Sequence, residues 1–166
     1  FGTPAEETDG SKVIFAQKGA FNNIDIALIA HPHTQYRKSG ASLAMESLEF
    51  IYRGKSTHAA ASPEKGINAL DAAINTFNNI NALRQHIRSD SRIHGIITEG
   101  GNAPNVTPDY AVAHFYVRST TKKYLKELVD KVKKCAVGAS MAAGTKIEIR
   151  NYENSYDNLI INQKLL

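Results

Sequence analysis

Two adjacent carboxylates and one histidine are the residues of this sequence that are best suited to hydrolytic chemistry. Glu6 and Glu7 end the segment GTPAEE at residues 2–7, and His31 follows the apolar run at 24–30. Carboxylate oxygens and imidazole nitrogens are ordinary ligands of Zn²⁺-like ions. Because neighbouring side chains of an extended chain point in opposite directions, one glutamate can bind a metal while the other takes a proton from water.

The same residues also have a structural interpretation. Two solvated glutamates at the start of a helix are stabilised by the helix dipole, and exposed carboxylates are common in folded proteins. A histidine at the end of a strand is by itself an ordinary surface residue. Other segments of the sequence must therefore decide between the two interpretations.

Three further polar side chains lie in loops or at a strand end. His58 lies in the small-residue segment GKSTHAA at 54–60, Asn105 ends the turn segment GGNAPN at 100–105, and Arg118 lies near the end of a predicted strand. Each also has a purely structural interpretation: His58 as a surface residue of a loop, Asn105 as part of a hairpin connection, and Arg118 as an exposed residue at a strand end. On the open face of a sheet, however, a guanidinium can bind a carboxylate through two parallel hydrogen bonds.

Composition limits the classes of protein that this chain can represent. Its 166 residues, 42% of them hydrophobic, fit one domain or one domain with part of another. The net charge of +4 is not gathered into a tail and gives no argument for a nucleic-acid or membrane partner. The single cysteine, Cys135, excludes an internal disulfide framework and fits a reducing compartment, so we expect a cytoplasmic location.

The first 42 residues have the pattern of an α/β domain. A strand ends near Gly2, a short helix is predicted at 11–20, and the apolar run at 24–30 predicts a strand that is buried on both faces of a parallel sheet. His31 would then lie at the C-terminal end of that strand, where open α/β sheets bind their ligands. Phe1 opens within a motif and the last residues end in an unfinished helical pattern, so we expect an internal piece of a longer enzyme.

A different pattern begins near residue 43. Period-two alternation predicts strands, and three- and four-residue spacing predicts two amphipathic helices, the first beginning at Ser62-Pro63 and the second ending at Gly144. The order is strand, helix, strand, strand, helix, strand. This order predicts an α+β fold, a ferredoxin-like βαββαβ sandwich with both helices on one face of an antiparallel sheet.

Several motifs, taken in order, resemble one known family. They are GTPAEE at 2–7, AHP at 30–32, GKSTHAA at 54–60, PEKGINALD at 63–71, GGNAPNV at 100–106 with PD at 108–109, and YVR at 116–118. Together they resemble the metal-dependent aminoacylase/carboxypeptidase/amidohydrolase family, and within it the branch of N-acyl-amino-acid amidohydrolases and dipeptidases. The resemblance implies a lid/dimerisation domain at 43–152, inserted into a catalytic domain represented by 1–42 and 153–166.

The resemblance also implies a metal-dependent mechanism. Glu7 and His31 match metal ligands, and Glu6 matches the general base that deprotonates a metal-bound water. Members of the family usually hold two divalent ions, Zn²⁺ or Mn²⁺, and use them to hydrolyse the amide bond of a dipeptide or an N-acyl amino acid. The remaining ligands have no counterpart in this sequence. We therefore expect the isolated chain to be inactive and to hold no metal, although its parent is an enzyme.

The remaining matches concern the substrate and the partner subunit. His58 matches a lid histidine that reaches into the partner's site and stabilises the oxyanion, while Asn105 and Arg118 match residues that bind the substrate carboxylate. We therefore expect a homodimer or a higher oligomer through the lid domain, using its first helix and an edge strand. A small peptide or N-acyl amino acid is the expected substrate, without nucleic acid or membrane as partners.

One alternative belongs to a different class. A non-catalytic ferredoxin-like dimerisation or RNA-binding module would fit the pI of about 9.1 and the aromatic strand at 114–116. RNA binding requires stacked aromatic side chains on the two central strands of the open face. The strand at 93–98 has no aromatic side chain apart from His94, and this alternative gives the two glutamates no purpose.

Overall fold

The computed structural model describes residues 2–4, 10–38 and 40–165. The elements in chain order are α1 (Lys12–Gln17), β1 (Ala44–Arg53), α2 (Ala69–Leu83), β2 (Arg92–Glu99), β3 (Tyr110–Ser119), α3 (Lys122–Ala143) and β4 (Lys146–Arg150), with short 3₁₀ turns at Pro63–Lys65 and Arg84–His86. We call residues 44–150 the sandwich. Its order of strands and helices is the one predicted, and the α+β fold class is confirmed.

The sheet of the sandwich is antiparallel, with strand order β2-β3-β1-β4. β1 and β3 pair over their full lengths, from Ala44 opposite Ser119 to Arg53 opposite Tyr110. Helices α2 and α3 pack against each other and against these two central strands. Alternate strand residues, including Phe50 and Phe115, point toward the helices and form the core, as the period-two geometry requires.

The helix-free face of the sheet is more covered than the sequence predicts. A strand with period-two alternation commonly has one face in solvent, yet Ser47, Glu49 and Ile51 on this face of β1 are buried. The reason is that the chain after β4 returns across this face. The Ser47 hydroxyl donates to the Glu153 carbonyl at 2.8 Å and accepts from the Glu153 amide at 3.0 Å. Met45 and Tyr156 exchange backbone hydrogen bonds of 2.9 and 3.1 Å.

Helix α2 begins later than the sequence predicts. Pro63 opens a 3₁₀ turn instead, and Asn68 caps α2 by accepting hydrogen bonds from the amides of Leu70 and Asp71. Lys55 and Ile67 exchange backbone hydrogen bonds of 2.8 and 2.9 Å, which hold the chain before Asn68 extended. The predicted end of α3 is confirmed, because Gly144, at φ +71°, ends it, and the Thr121 side chain caps its start.

The expected buried strand at 24–30 is wrong for this chain. These residues have no regular structure, and Leu28 and Ile29 are 82% and 73% exposed. A strand buried on both faces needs neighbouring strands and covering helices, and the described residues provide neither around this segment. The division into 1–42, 43–152 and 153–166 remains a prediction. No helix in the described part of the chain has the length and apolar character needed to cross a membrane.

Candidate functional site

His58 and Asn105 lie together at the end of the sheet where β1 ends and β3 begins. The Ala59 amide donates to the Asn105 carbonyl at 2.9 Å, and the Thr107 amide donates to the Thr57 carbonyl at 2.9 Å. These backbone bonds join the loop after β1 to the turn before β3. Both the His58 and Asn105 residues are exposed. The structure therefore brings these two predicted site residues into one loop pair.

The hydrogen bonds of His58 define which ring nitrogen is free. Its Nδ1 accepts from the amides of Ala60 and Ala61 at 3.3 and 3.2 Å. Because an amide can only donate, Nδ1 carries no proton, and the neutral ring has its proton on Nε2. The exposed His58 therefore presents an N–H donor to its surroundings. A donor of this kind can stabilise an oxyanion that forms during amide hydrolysis.

Gly54 allows the loop that carries His58 to pack closely against the chain before α2. A Cβ atom at Gly54 would lie 2.0 Å from the carbonyl oxygen of Ile67. The same carbonyl accepts the Lys55 amide at 2.8 Å. A side chain at Gly54 would therefore break the backbone contact between Lys55 and Ile67, which positions the start of the His58 loop.

Arg118 lies at the opposite end of β3 from this loop pair. It is paired with Met45 at the start of β1, whereas Tyr110, eight residues earlier, is paired with Arg53 at its end. At about 3.3 Å per residue, Arg118 is roughly 26 Å from the end of β3 next to Asn105. The family resemblance groups Asn105 with Arg118 as substrate ligands. Within one chain the structure groups Asn105 with His58 instead, and Arg118 lies far from both.

The guanidinium of Arg118 is held by two tyrosines. Its Nη1 donates to the Tyr156 hydroxyl at 3.1 Å, and its Cζ lies 5.4 Å from the centre of the Tyr116 ring. His94 lies edge-on to the same ring, at 5.8 Å between centres. Burial lowers the pKa of His94, and the charges of Arg118 and Arg84 lower it further. His94 is therefore held in its neutral form beside Arg118 near pH 7.

A cavity of about 560 Å³ contains both Arg118 and His31. Its lining also includes Tyr116, Tyr156 and Glu153. The Nδ1 of the exposed His31 lies 2.8 Å from the Pro32 carbonyl. Because a carbonyl can only accept, Nδ1 is the protonated nitrogen and Nε2 keeps its lone pair. Histidines that bind metals commonly have this arrangement, with the other nitrogen donating to a carbonyl or carboxylate.

Beneath Arg118 the helix-free face carries a continuous polar and aromatic network. Tyr116 and Tyr152 are stacked with their centres 5.8 Å apart, and His114 stacks on Tyr152 at 4.1 Å. The Tyr116 hydroxyl donates to Glu153 at 2.6 Å, and burial together with this bond raises the pKa of Tyr116. His114 in turn donates to Glu49. The network therefore connects Arg118 and the tyrosines around it to the centre of the sheet.

Comparison with known families identifies the sandwich. The sequence profile of the peptidase dimerisation domain of M20 peptidases matches residues 44–139. The chain belongs to this family. The resemblance inferred from the motifs is therefore confirmed, and the matched residues make up most of the sandwich.

Two curated relatives extend the likeness beyond the M20 dimerisation domain. The chain is 38% identical to Xaa-Arg dipeptidase of Mus musculus over 164 residues, which cover 99% of this chain and 38% of that protein. It is 32% identical to one of the subunits of p-aminobenzoyl-glutamate hydrolase of Escherichia coli over 152 residues, 90% of this chain and 32% of that protein. The chain thus spans less than two-fifths of the length of either relative.

A solved structure also shares the fold. It is the aminobenzoyl-glutamate utilization protein of Klebsiella pneumoniae, with a TM-score of 0.65 and 21% identity. The match covers 74% of this chain and 31% of that one. At this identity the likeness establishes the fold of the M20 dimerisation domain and no more.

The metal ligands expected from the sequence are only partly accounted for. Glu6 and Glu7 lie outside the described residues, and His31 has a free Nε2 of the right chemistry. Among residues 2–4, 10–38 and 40–165, no three His, Cys, Asp or Glu side chains form a group that could hold a metal ion. A zinc site needs three or four protein ligands, so the described residues do not form a metal centre by themselves.

The sequence predicts only some of the residues that surround Arg118. Period-two alternation on β3 places His114 and Tyr116 on the same face as Arg118. No local pattern indicates that the chain after β4 returns to bring Glu153 and Tyr156 onto this face. Their contacts with β1 and β3 join residues far apart in the sequence.

Proposed function

We propose that this chain is part of a metal-dependent amidohydrolase or dipeptidase that cleaves an amide bond next to a free carboxylate. The observation that carries the proposal is that Arg118 and His31 line one cavity in a chain that contains an M20 dimerisation domain. The names of the two curated relatives support it, since Xaa-Arg and p-aminobenzoyl-glutamate both end in an amino acid. An amino acid at that end carries the carboxylate that a guanidinium binds well.

Arg118 would bind the substrate carboxylate in this cavity. Its planar guanidinium has five N–H donors, and one of them is used by Tyr156. Among the described residues no other acceptor bonds to this guanidinium, so its remaining donors can form a bidentate contact, which fixes the orientation of the substrate as well as its affinity. An amide bond one residue away from that carboxylate would then be directed toward the side of the cavity that contains His31.

Glu6, Glu7 and His31 would form the hydrolytic side of the site. We propose Glu7 and His31 as ligands of one of two divalent ions, Zn²⁺ or Mn²⁺, and Glu6 as the general base. When bound, such ions supply an activated water and polarise the amide carbonyl. Glu6 would hold the proton from water and return it to the leaving amine. Additional ligands from the parent protein would complete the metal site.

His58 and Asn105 would act in the site of a partner subunit. Within one chain they lie roughly 26 Å from Arg118, measured along β3 at about 3.3 Å per residue, so they cannot contact the same small substrate. A homodimer formed through the sandwich would provide them in trans. His58 of the partner subunit would donate its Nε2–H to the oxyanion, with the partner's Asn105 beside it.

The first long helix and the edge strand are the proposed contact surface. Ile74 on α2 is 44% exposed and Ile97 on β2 is 37% exposed. β2 is an edge strand of the sheet, and an edge can pair with the same strand of a second chain. We also propose that residues 1–42 and 153–166 belong to the catalytic domain. A cytoplasmic location is proposed from the single cysteine, Cys135.

The RNA-binding alternative has little support in the described residues. His114 and Tyr116 each stack on Tyr152, which lies in the chain that returns after β4. Bases need aromatic faces that are open to solvent. These rings are occupied by contacts within the chain, and we retain the prediction that nucleic acid is not a partner.

The test of the proposed function uses the full-length parent enzyme. Hydrolysis of alanyl-arginine is compared with hydrolysis of the same dipeptide bearing a C-terminal amide, before and after treatment with EDTA. We expect fast cleavage of the free acid and only slow cleavage of the amide, loss of cleavage with EDTA, and recovery with Zn²⁺ or Mn²⁺. Equal cleavage of both dipeptides would contradict the role of Arg118, and resistance to EDTA would contradict metal dependence.

A further inference from the structure

The Arg118 guanidinium is held by a neutral hydrogen-bond acceptor, the hydroxyl of Tyr156. Among the described residues, the Tyr156 hydroxyl is the one hydrogen-bond acceptor that contacts the Arg118 guanidinium, at 3.1 Å. No Asp or Glu in that part of the chain forms an ion pair with Arg118. A neutral hydroxyl can orient a guanidinium without neutralising its charge. A carboxylate in the same place would compete with a substrate carboxylate.

A second contact limits the freedom of the same side chain. The guanidinium carbon of Arg118 lies 5.4 Å from the centre of the Tyr116 ring, within range of a cation–π interaction. The Tyr116 ring is itself fixed, because its hydroxyl donates to Glu153 at 2.6 Å. Glu153 accepts this bond, and among the described residues it forms no ion pair with Arg118. One tyrosine thus supports the arginine and the other orients it.

Tyr156 is held in place by the backbone. It exchanges two backbone hydrogen bonds with Met45, which is the residue opposite Arg118 in the sheet. Three residues earlier, Glu153 makes two hydrogen bonds with Ser47. The segment from Glu153 to Tyr156 is therefore attached to β1 at both of its ends. The position of the Tyr156 hydroxyl relative to Arg118 is fixed by the sheet rather than by a loop.

We infer that Tyr156 is a positioning residue for substrate binding, and that its hydroxyl holds the Arg118 guanidinium in the orientation that binds a substrate carboxylate. The inference rests on the proposed function of Arg118. A long arginine side chain loses rotational freedom when it binds, and an arginine that is already oriented loses less. Because Arg118 would contact the carboxylate in the ground state and the transition state alike, the contribution of Tyr156 belongs to KM rather than to kcat.

The test is the Tyr156→Phe variant of the full-length enzyme. It removes one hydroxyl and keeps the ring. For alanyl-arginine we expect KM to rise about three- to tenfold with kcat within about twofold, the size expected for one hydrogen bond. For the slow reaction of the amidated dipeptide we expect no change. Tyr36→Phe is the matched control, because Tyr36 is fully exposed and lies outside the sandwich.

A second variant separates positioning from a general structural role. In an Arg118→Lys background, Tyr156→Phe should have no further effect on KM, because the oriented guanidinium is already absent. An equal change for both dipeptides, or a fall in kcat at constant KM, would overturn the inference. If the wild type clearly prefers the free acid, an unchanged KM in Tyr156→Phe would also overturn the inference. A wild type that cleaves both dipeptides equally would instead overturn the proposed function, and the inference with it.

Discussion

The Glu49 carboxylate accepts a hydrogen bond from His114 Nε2 at 2.9 Å across the β1–β3 pair. Arg150 on β4 donates to the other carboxylate oxygen, so the buried Glu49 is held between two donors. Burial alone would raise the pKa of Glu49. The hydrogen bonds from Arg150 and His114 outweigh burial, and the pKa is lowered from its usual 4.5.

This lowered pKa predicts a loss of stability in acid. Because the unfolded chain binds the proton at a higher pH than the folded chain, the contribution of Glu49 is complete above pH 4.5. It is lost as the pH falls through the lowered pKa. Urea unfolding of the Glu49→Gln variant between pH 7 and pH 3 should show a weaker pH dependence than the wild type. Glu64→Gln, at an exposed residue, is the control and should keep the wild-type dependence.

Gly54→Ala should disturb the His58 loop and destabilise the protein. The new Cβ would meet the Ile67 carbonyl at 2.0 Å, so the backbone contact between Lys55 and Ile67 must open. We expect a loss of about 1–3 kcal/mol in the free energy of unfolding, the usual cost of overpacking. Gly40→Ala is the control, because a Cβ there would meet no atom within 4 Å. Wild-type stability for Gly54→Ala would show that the loop can move without cost.

Mixing two inactive variants should restore activity if the site is shared between subunits. In a dimer of one His58→Ala chain and one Arg118→Ala chain, one of the two sites has both Arg118 and the partner's His58. With random pairing about a quarter of wild-type activity is expected, from the two-fold symmetry of the dimer. The control mixes His58→Ala with Asn105→Ala, whose defects lie on the same loop pair, and should restore nothing. Activity no higher than that of the separate variants would refute a shared site.

His31→Ala should reduce the metal content of the full-length protein. We expect about one ion fewer per chain by elemental analysis after dialysis, because removing one of three or four ligands weakens a site strongly. His33→Ala is the matched control, two residues away and equally exposed, and should retain the wild-type metal content. Unchanged metal in His31→Ala would remove His31 from the ligand set.

The parts of the fold that were predicted correctly depend on short-range patterns. The alternation on β1 and β3, the spacing of apolar residues on α3, and its end at Gly144 are all local signals. The start of α2, in contrast, is not determined by a local signal. Ser62 and Pro63 have the composition of a helix start, but the bridge between Lys55 and Ile67 determines the conformation before Asn68.

The candidate site was predictable for the residues that carry it and not for those that support it. The motifs point to Arg118, His58 and Asn105, and strand alternation places Arg118 on the helix-free face; their roles remain predictions. Tyr156 could not be found, because its role depends on a chain segment that returns to β1 from more than a hundred residues away. That return is visible only in tertiary contacts such as that between Ser47 and Glu153.

The backbone pair between Met45 and Tyr156 joins the start of the sandwich to the chain that follows it. A rotation of the sandwich about this pair as a pivot would act unequally on the predicted site residues. Arg118 lies opposite Met45 at the pivot, whereas His58 lies at the far end of a lever of roughly 26 Å at 3.3 Å per residue. A turn of about 10° would move His58 by roughly 4–5 Å and leave Arg118 almost in place. Such a rotation would thus move His58 relative to the site of the partner subunit, while Arg118 of the same chain keeps hold of its own substrate carboxylate.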